Sequence, residues 1–214
     1  MSKLTDNTAS LQALLEAANT LPEKQADPQK VVEDIVTGVL TEVEWSLSTM
    51  PQNAFRNWSI TKINAPNLTS ISDNAMYDCK SLVEVNFPEL TALPGYNFYN
   101  CVALQVLNLP KVTEIKANVL YLCTSLEYVD LPKVNTIGGY VLRSCTNLNT
   151  LILRNATAAT LTGTNTLVGS KIANGTGYIY VPAALVDTYK AATNWSVYAD
   201  QFRAIEDYPE ITGG

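Results

Sequence analysis

The chain contains no histidine among its 214 residues. Without an imidazole, the protein cannot form a Ser–His or Cys–His nucleophile pair or a histidine-ligated metal site. Glycine-rich phosphate loops are missing as well, because Gly138-Gly139 and the glycines from Gly163 to Gly177 match neither GxGxxG nor a P-loop. Carboxylates such as Glu127 and Asp130 would point to opposite faces of a strand. We therefore expect a protein without enzymatic activity, without a metal site and without a cofactor.

Basic surfaces and long apolar runs are scarce. The formal charge is −6 and the sequence pI is about 4.7, which disfavours nucleic acid as a partner. No apolar run approaches the ~18 residues of a membrane span, so we expect no membrane insertion. The beginning, MSKLTDNTASL, is too polar for a secretory signal. The expectation is a protein that works inside a cell or a virion, or one whose export segment has been removed.

What the chain does contain is a repeat. The period of 22 residues is carried by four residue types: Cys79, Cys101, Cys123 and Cys145; Pro66, Pro88, Pro110 and Pro132; Leu82, Leu104, Leu126 and Leu148; Ile71, Leu93, Ile115 and Ile137. Four types in phase on one period define a tandem repeat.

One repeat unit, CTSLEYVDLPKVNTIGGYVLRS, begins at Cys123. Leu126, Val129 and Leu131 suit a short strand with alternate residues turned inward, and Pro132 should end it because proline cannot donate to a ladder. A unit this short cannot bury its own apolar side, so copies must stack into a solenoid. The predicted core columns are Leu82/Leu104/Leu126/Leu148, Val85/Leu107/Val129/Leu151, Phe87/Leu109/Leu131/Leu153 and Met76/Phe98/Leu120/Leu142. We expect the cysteines to be reduced and buried, since stacked Cβ vectors run parallel instead of converging.

The string LxxLxLPxVxxI, with a cysteine three residues before its first leucine, resembles the BspA-like class of bacterial leucine-rich repeats. LEYVDLPKVNTI and LQVLNLPKVTEI both fit it, and the resemblance extends roughly from Val39 to Ile205. It implies a right-handed superhelical coil of short parallel strands with about five to six turns. It also implies a binding or adhesion module.

The predicted layout has four parts. Residues 1–37 form an N-terminal helix and linker, 38–57 an N-terminal cap turn, 58–154 the 22-residue repeats, and 155–214 a degenerate turn with an α-helical C-terminal cap. In that cap, Leu185, Val186, Tyr189 and Ala192 form one helical stripe and Tyr198, Phe202 and Ile205 another.

The N-terminal helix has one apolar stripe, formed by Leu11, Leu14, Leu15, Ala18 and Leu21. It either docks on the solenoid itself or mediates self-association or attachment to a larger assembly. The segment SLQALLEAANTLPEK resembles leader segments of structural proteins from gut-bacterial phages and prophages.

Two columns of variable residues are candidate contact surfaces. Glu84, Val106, Tyr128 and Thr150 should lie on the outer face of the strands, with Asn86, Asn108, Asp130 and Ile152 beside them. Tyr77, Tyr99, Tyr121 and Arg143 should lie on the opposite wall. Tyrosine is common in recognition surfaces, but it is also common half-buried at the rim of a core. The sequence leaves open which column binds.

Two functional classes remain. The first is a binding or adhesion module for a protein or a surface glycan, most consistent with a phage or prophage virion, or alternatively a bacterial cell-surface adhesin or a cytoplasmic protein. The second is a structural or scaffolding subunit whose repeats space other parts.

Overall fold

The computed structural model describes residues 41–212. The predicted N-terminal helix, with Leu11, Leu14, Leu15, Ala18 and Leu21, and its linker lie outside the described residues. None of the helices in the described part is both long and apolar enough to cross a membrane.

Short β-strands dominate the described chain. They are β1 (Glu42–Glu44), β2 (Thr49–Met50), β3 (Lys62–Asn64), β4 (Ser70–Ile71), β5 (Glu84–Asn86), β6 (Ala92–Leu93), β7 (Val106–Asn108), β8 (Glu114–Ile115), β9 (Tyr128–Leu131), β10 (Thr136–Ile137), β11 (Thr150–Leu153), β12 (Thr160–Leu161), β13 (Tyr178–Val181) and β14 (Phe202–Ala204). As predicted, β9 ends at the residue before Pro132.

Equivalent strands of successive turns pair in parallel. One wall contains β1-β3-β5-β7 and β9-β11-β13-β14, and the other contains β6-β8-β10-β12 and β2-β4. In the first wall, Val85 pairs with Ile63 on one side and with Leu107 on the other. The result is a solenoid of about seven turns with parallel strands. The predicted count of five to six was too low because the terminal turns lack the cysteine that marks the others.

The core runs along the inside of the coil. Leu82, Leu104, Leu126 and Leu148 are fully buried, as are Met76, Phe98, Leu120 and Leu142. The four cysteines are free and buried. Each Sγ donates to a carbonyl oxygen of the preceding turn, at 2.8 to 3.2 Å, and the acceptors are Phe55, Met76, Phe98 and Leu120. The thiols therefore form one file inside the solenoid, as the repeat predicts.

Leu107 departs from its predicted core column because it is only partly buried. Among the described strands, no pairing joins β7 to β9. The first wall is therefore divided at this point into two four-stranded segments, and Leu107 lies at the edge of one of them. Val129, its counterpart across the break, remains buried.

Ile152 was expected on the outer face, and that expectation was wrong. It is fully buried beneath the C-terminal segment, where it contacts Tyr180 and Ile205 with Tyr208 and Ile211 around them. The chain folds back over the outer side of β11, so a position that is exposed in earlier turns becomes interior here.

The C-terminal end is partly helical. It contains α1 (Val186–Ala191), α2 (Pro209–Thr212) and three 3-10 helices, Ala183–Leu185, Ser196–Gln201 and Ile205–Asp207. The second predicted helical stripe was wrong in part, because Phe202 lies in β14 and pairs with Ile179 of β13. The Trp195 indole donates to the Ala159 carbonyl at 2.7 Å, which ties this end to the irregular turn before it.

The turns between strands use left-handed backbone twice per coil. One column of positive φ contains Asn53, Asn74, Tyr96, Asn118 and Tyr140, and the other contains Asn57, Asp78, Asn100, Leu122 and Ser144. Asparagine and aspartate tolerate this conformation, whereas leucine and tyrosine rarely adopt it. Repeat stacking therefore imposes the conformation even where the residue type does not favour it.

Candidate functional site

The strand face is the outer surface of the first wall, formed by side chains at equivalent positions of its strands. Those positions are Lys62, Glu84, Val106, Tyr128, Thr150 and Tyr178, placed by the registers Lys62–Glu84–Val106 and Tyr128–Thr150–Tyr178. Lys62 Nζ lies 2.9 Å from Glu84 Oε1. Thr150 is half-buried and donates its hydroxyl to Asn149 Oδ1 at 2.7 Å. These two predicted contact residues, Glu84 and Thr150, thus already have partners within the chain.

Val106, Tyr128 and Tyr178 are the exposed apolar members of the strand face, with 51%, 45% and 38% of their surface accessible. Within residues 41–212 no other ring stacks on Tyr128. Partial burial and then the neighbouring Asp130 carboxylate raise the pKa of the Tyr128 hydroxyl. Arg154 and Asp130 lie against this hydroxyl, whereas the ring has no stacking partner in the described chain and is partly open to solvent.

A polar ladder runs beside the exposed residues. Asn108 donates to Asn86, Asn86 donates to Asn64, and Asn64 donates to Glu44, with N···O distances of 2.6 to 2.7 Å. The ladder stops at the break in the wall. Beyond it a separate pair begins, in which Arg154 holds Asp130 Oδ2 at 2.8 and 2.9 Å.

The tyrosine column is the stack formed by Tyr77, Tyr99 and Tyr121, which lie in the turns that follow β4, β6 and β8. Adjacent ring centroids are 4.8 and 5.2 Å apart, and the rings are 3° and 5° from parallel. The Arg56 guanidinium covers the outer face of Tyr77 at 4.3 Å. Burial, followed by the neighbouring tyrosines, raises the pKa of Tyr99. The rings stack face to face, so the faces between them are not available to a ligand.

Arg143 does not continue the tyrosine column in the way its position suggests. Its guanidinium lies 5.5 Å from the ring centroid of Tyr140, which is itself exposed and has a φ of 63°. The fold therefore brings the three tyrosines together but does not add the arginine to their stack.

Several surface residues were missed by sequence reasoning. Tyr178 joins the strand face through an irregular connection that hides the period, and Arg203 lies 4.3 Å above its ring. Arg56 could have been found, because the match between NAFRNW and NAMYDC aligns it with Tyr77. No group of three or more metal-binding side chains occurs in the described part of the chain.

Residues 48–165 match the BspA type leucine-rich repeat region, in six copies. The chain belongs to the BspA-type leucine-rich repeat family. The match covers more than half of the chain and includes all four cysteines and both candidate columns. No curated protein matches the chain.

Solved structures that are similar to this chain include leucine-rich repeat proteins from three bacteria. A leucine-rich repeat protein of T. pallidum is 23% identical with a TM-score of 0.50, over 54% of this chain and 59% of that one. A leucine-rich cell surface protein of Faecalibacterium prausnitzii is 22% identical with a TM-score of 0.46, over 69% and 42%. A leucine-rich repeat protein of Bacteroides ovatus is 16% identical with a TM-score of 0.45, over 78% and 54%. This BspA-type chain thus spans about half the length of the structures it matches.

Proposed function

We propose that this protein is a non-enzymatic binding module that contacts its partner through the strand face. The observation that carries the proposal is the difference between the two candidate columns. The tyrosine column is stacked on itself, whereas Tyr128 offers an uncovered ring beside the exposed Val106. An uncovered aromatic side chain on a rigid sheet provides contact area at low conformational cost.

The test compares two triple variants matched in composition and exposure. The strand-face variant carries Val106→Ser, Tyr128→Ala and Tyr178→Ala. The control carries Val197→Ser, Tyr96→Ala and Tyr140→Ala, whose native side chains are 58%, 43% and 43% exposed. Fluorescently labelled protein is titrated onto intact cells of the bacterium that carries the gene. We expect binding by the native chain and the control and loss of binding by the strand-face variant. Equal binding by both variants would refute the proposal.

The setting we propose is a phage or prophage particle, with the N-terminal segment as the attachment point and a host-surface protein or glycan as the partner. The support is the resemblance of SLQALLEAANTLPEK to leader segments of phage structural proteins. Solution mass tests it. A stable oligomer that becomes monomeric when Met1 to Lys24 is deleted supports assembly through that segment, and a native monomer contradicts it. A bacterial cell-surface adhesin is the alternative setting.

A scaffolding subunit is the second candidate function. Several charged and amide side chains pair between equivalent positions of adjacent turns, as Lys111 does with Glu89 at 2.6 Å and Asn86 with Asn64. Such contacts stiffen the solenoid and leave fewer groups for a ligand. If neither triple variant changes any surface binding while particle assembly requires the protein, the scaffolding function replaces the first.

A further inference from the structure

The break between β7 and β9 opens a notch on the strand face. The strand notch has a volume of about 380 Å³ and is lined by Gln105, Ser125, Glu127, Tyr128 and Asn147. These residues come from three successive turns. It lies beside the one stacked position of the first wall at which strand pairing fails within the described chain.

Backbone groups are left over at the notch. At most other steps of the wall, the carbonyl before a strand accepts two N–H groups of the next turn, as Val83 does from Gln105 and Val106, and as Glu127 does from Asn149 and Thr150. The Asn149 carbonyl accepts one, from Tyr178. The Gln105 carbonyl accepts neither the Glu127 nor the Tyr128 N–H in the described structure. One acceptor and two donors at the break are therefore left without strand partners.

Several side chains of the notch also lack partners within the described chain, although Arg154 and Asp130 lie against the Tyr128 hydroxyl. Asn147 Nδ2 donates to the Thr124 carbonyl at 2.9 Å, which fixes the amide and leaves its Oδ1 available. Gln105, Ser125 and Glu127 make no side-chain hydrogen bond within residues 41–212 that would occupy them. Polar groups that could each bind a ligand thus surround the free ring of Tyr128.

The notch cannot admit an additional β-strand. Leu104 and Leu109, which flank β7, and Leu126 and Leu131 of the next turn all remain buried in the core. On the second wall, β10 still pairs with β8. Inserting a strand would separate the two turns by roughly another 4.8 Å, which these contacts forbid. The occupant must therefore be small and must bind from the surface.

We propose that the strand notch binds a pyranose unit of a neutral glycan, an inference that rests on the strand face being the binding surface. Hydroxyl groups both donate and accept, so they can pair with the carbonyl, the N–H groups, the two amides and the Ser125 hydroxyl together. A lysine or arginine side chain only donates and would leave the N–H groups of the notch unpaired. The C–H face of a pyranose ring packs against an aromatic ring, which Tyr128 supplies. Glu127 is the one charged residue lining the notch, so an anionic ligand is disfavoured.

Saturation-transfer NMR on the full chain tests this inference. The probes are oligomers of glucose, galactose, mannose and N-acetylglucosamine, and a lysine- and arginine-rich peptide is included. We expect at least one neutral oligomer to receive saturation on its ring C–H protons. Tyr128→Ala should weaken its affinity by about tenfold or more, as truncation of a central aromatic contact does. Tyr128→Phe, which keeps the ring, and the exposed control Tyr140→Ala should bind like the native chain.

Failure of the NMR experiment in either of two ways would overturn the inference, and two further results would redirect it to a protein partner. One is the absence of saturation transfer to every oligomer at millimolar concentration, and the other is unchanged affinity in Tyr128→Ala. If only the basic peptide binds, and Tyr128→Ala abolishes that binding, the glycan is ruled out as the ligand. The strand face would remain the binding surface. On cells, periodate treatment should abolish binding and protease treatment should not. The reverse pattern assigns the strand face to a protein partner.

Discussion

The rings of Tyr77 and Tyr99 lie 4.8 Å apart and only 3° from parallel, although the residues are one full coil apart in sequence. The register of the solenoid sets this geometry, because equivalent residues of adjacent turns are separated by about the strand spacing of 4.8 Å. Tyr99 has such a neighbour on each side, since Tyr121 lies 5.2 Å beyond it. The middle ring therefore contributes more to stability than an isolated surface tyrosine.

Replacing Tyr99 with alanine removes both stacked ring pairs and also the tilted contact with Tyr96 at 5.9 Å. Each pair contributes about 0.5–1.5 kcal/mol, so we expect the free energy of unfolding in urea to fall by about 1–3 kcal/mol. Tyr140→Ala is the control, because Tyr140 has no stacked tyrosine neighbour among the described residues. A loss no larger for Tyr99→Ala than for Tyr140→Ala would show that the stack is incidental to stability.

Two adjacent glycines make a sharper comparison. A Cβ on Gly138 would lie 2.6 Å from the backbone nitrogen of Ala117 and from the carbonyl carbon of Lys116, whereas a Cβ on Gly139 meets nothing within 4 Å. Gly138→Ala forces two turns apart and should destabilise the protein by about 1–3 kcal/mol. Gly139→Ala should be neutral or stabilising by about 0.4–1 kcal/mol, because it reduces the freedom of the unfolded chain.

Thermal unfolding followed by circular dichroism measures both glycine variants under the same conditions. Native-like stability of Gly138→Ala would mean that the turns can separate locally without loss. The close approach of the backbones at Ala117 would then not be a requirement of the stack.

The columns that the sequence predicted correctly depend only on the period. Cys79 to Cys145 and Leu82 to Leu148 recur at a fixed step, and a stack of equal coils superposes them whatever else happens. Leu107 and Ile152 were placed incorrectly because their surroundings depend on features that the 22-residue period does not encode. Leu107 lies at a break in strand pairing, and Ile152 is covered by a segment from far along the chain.

The candidate surfaces were less predictable than the core. Arg143 occupies the position of the tyrosine column in its repeat. Its side chain is long and flexible, however, and it contacts the nearby Tyr140 instead. Tyr178 follows Thr150 by a longer step than 22 residues, so the register that places it on the strand face emerges only from the folded irregular turn. The strand notch depends on the missing backbone hydrogen bonds between β7 and β9, which cannot be predicted from the residue pattern.

The thiols provide a prediction about pH. Burial raises the pKa of Cys79 and Cys145 from 9.0 to about 12, and burial also raises the pKa of Cys101 and Cys123. Above pH 9 the unfolded chain loses thiol protons that the folded chain retains. Stability from this source is therefore complete below about pH 9 and declines as the pH rises toward 12.

Thiol labelling measures the same burial directly. A chromogenic disulfide reagent at pH 8 should react with no thiol in the folded protein over the time that it needs to react with all four in guanidinium chloride. The double variant Cys79→Ala, Cys145→Ala should lose less stability between pH 9 and 10 than the native chain. Rapid labelling of the folded chain would contradict the buried file of cysteines.

Leu126 and Tyr128 allow the buried core and the exposed strand face to be compared within one turn. Leu126 is fully buried in the middle of the stack, so Leu126→Ala should lower the free energy of unfolding by about 2–5 kcal/mol. Tyr128, two residues away, points outward, and Tyr128→Ala should change it by no more than about 0.5 kcal/mol. Urea denaturation of both variants measures the difference. Equal losses would contradict the inward placement of Leu126 and the outward placement of Tyr128. The loss of ligand binding expected for Tyr128→Ala would then report unfolding instead of a missing contact.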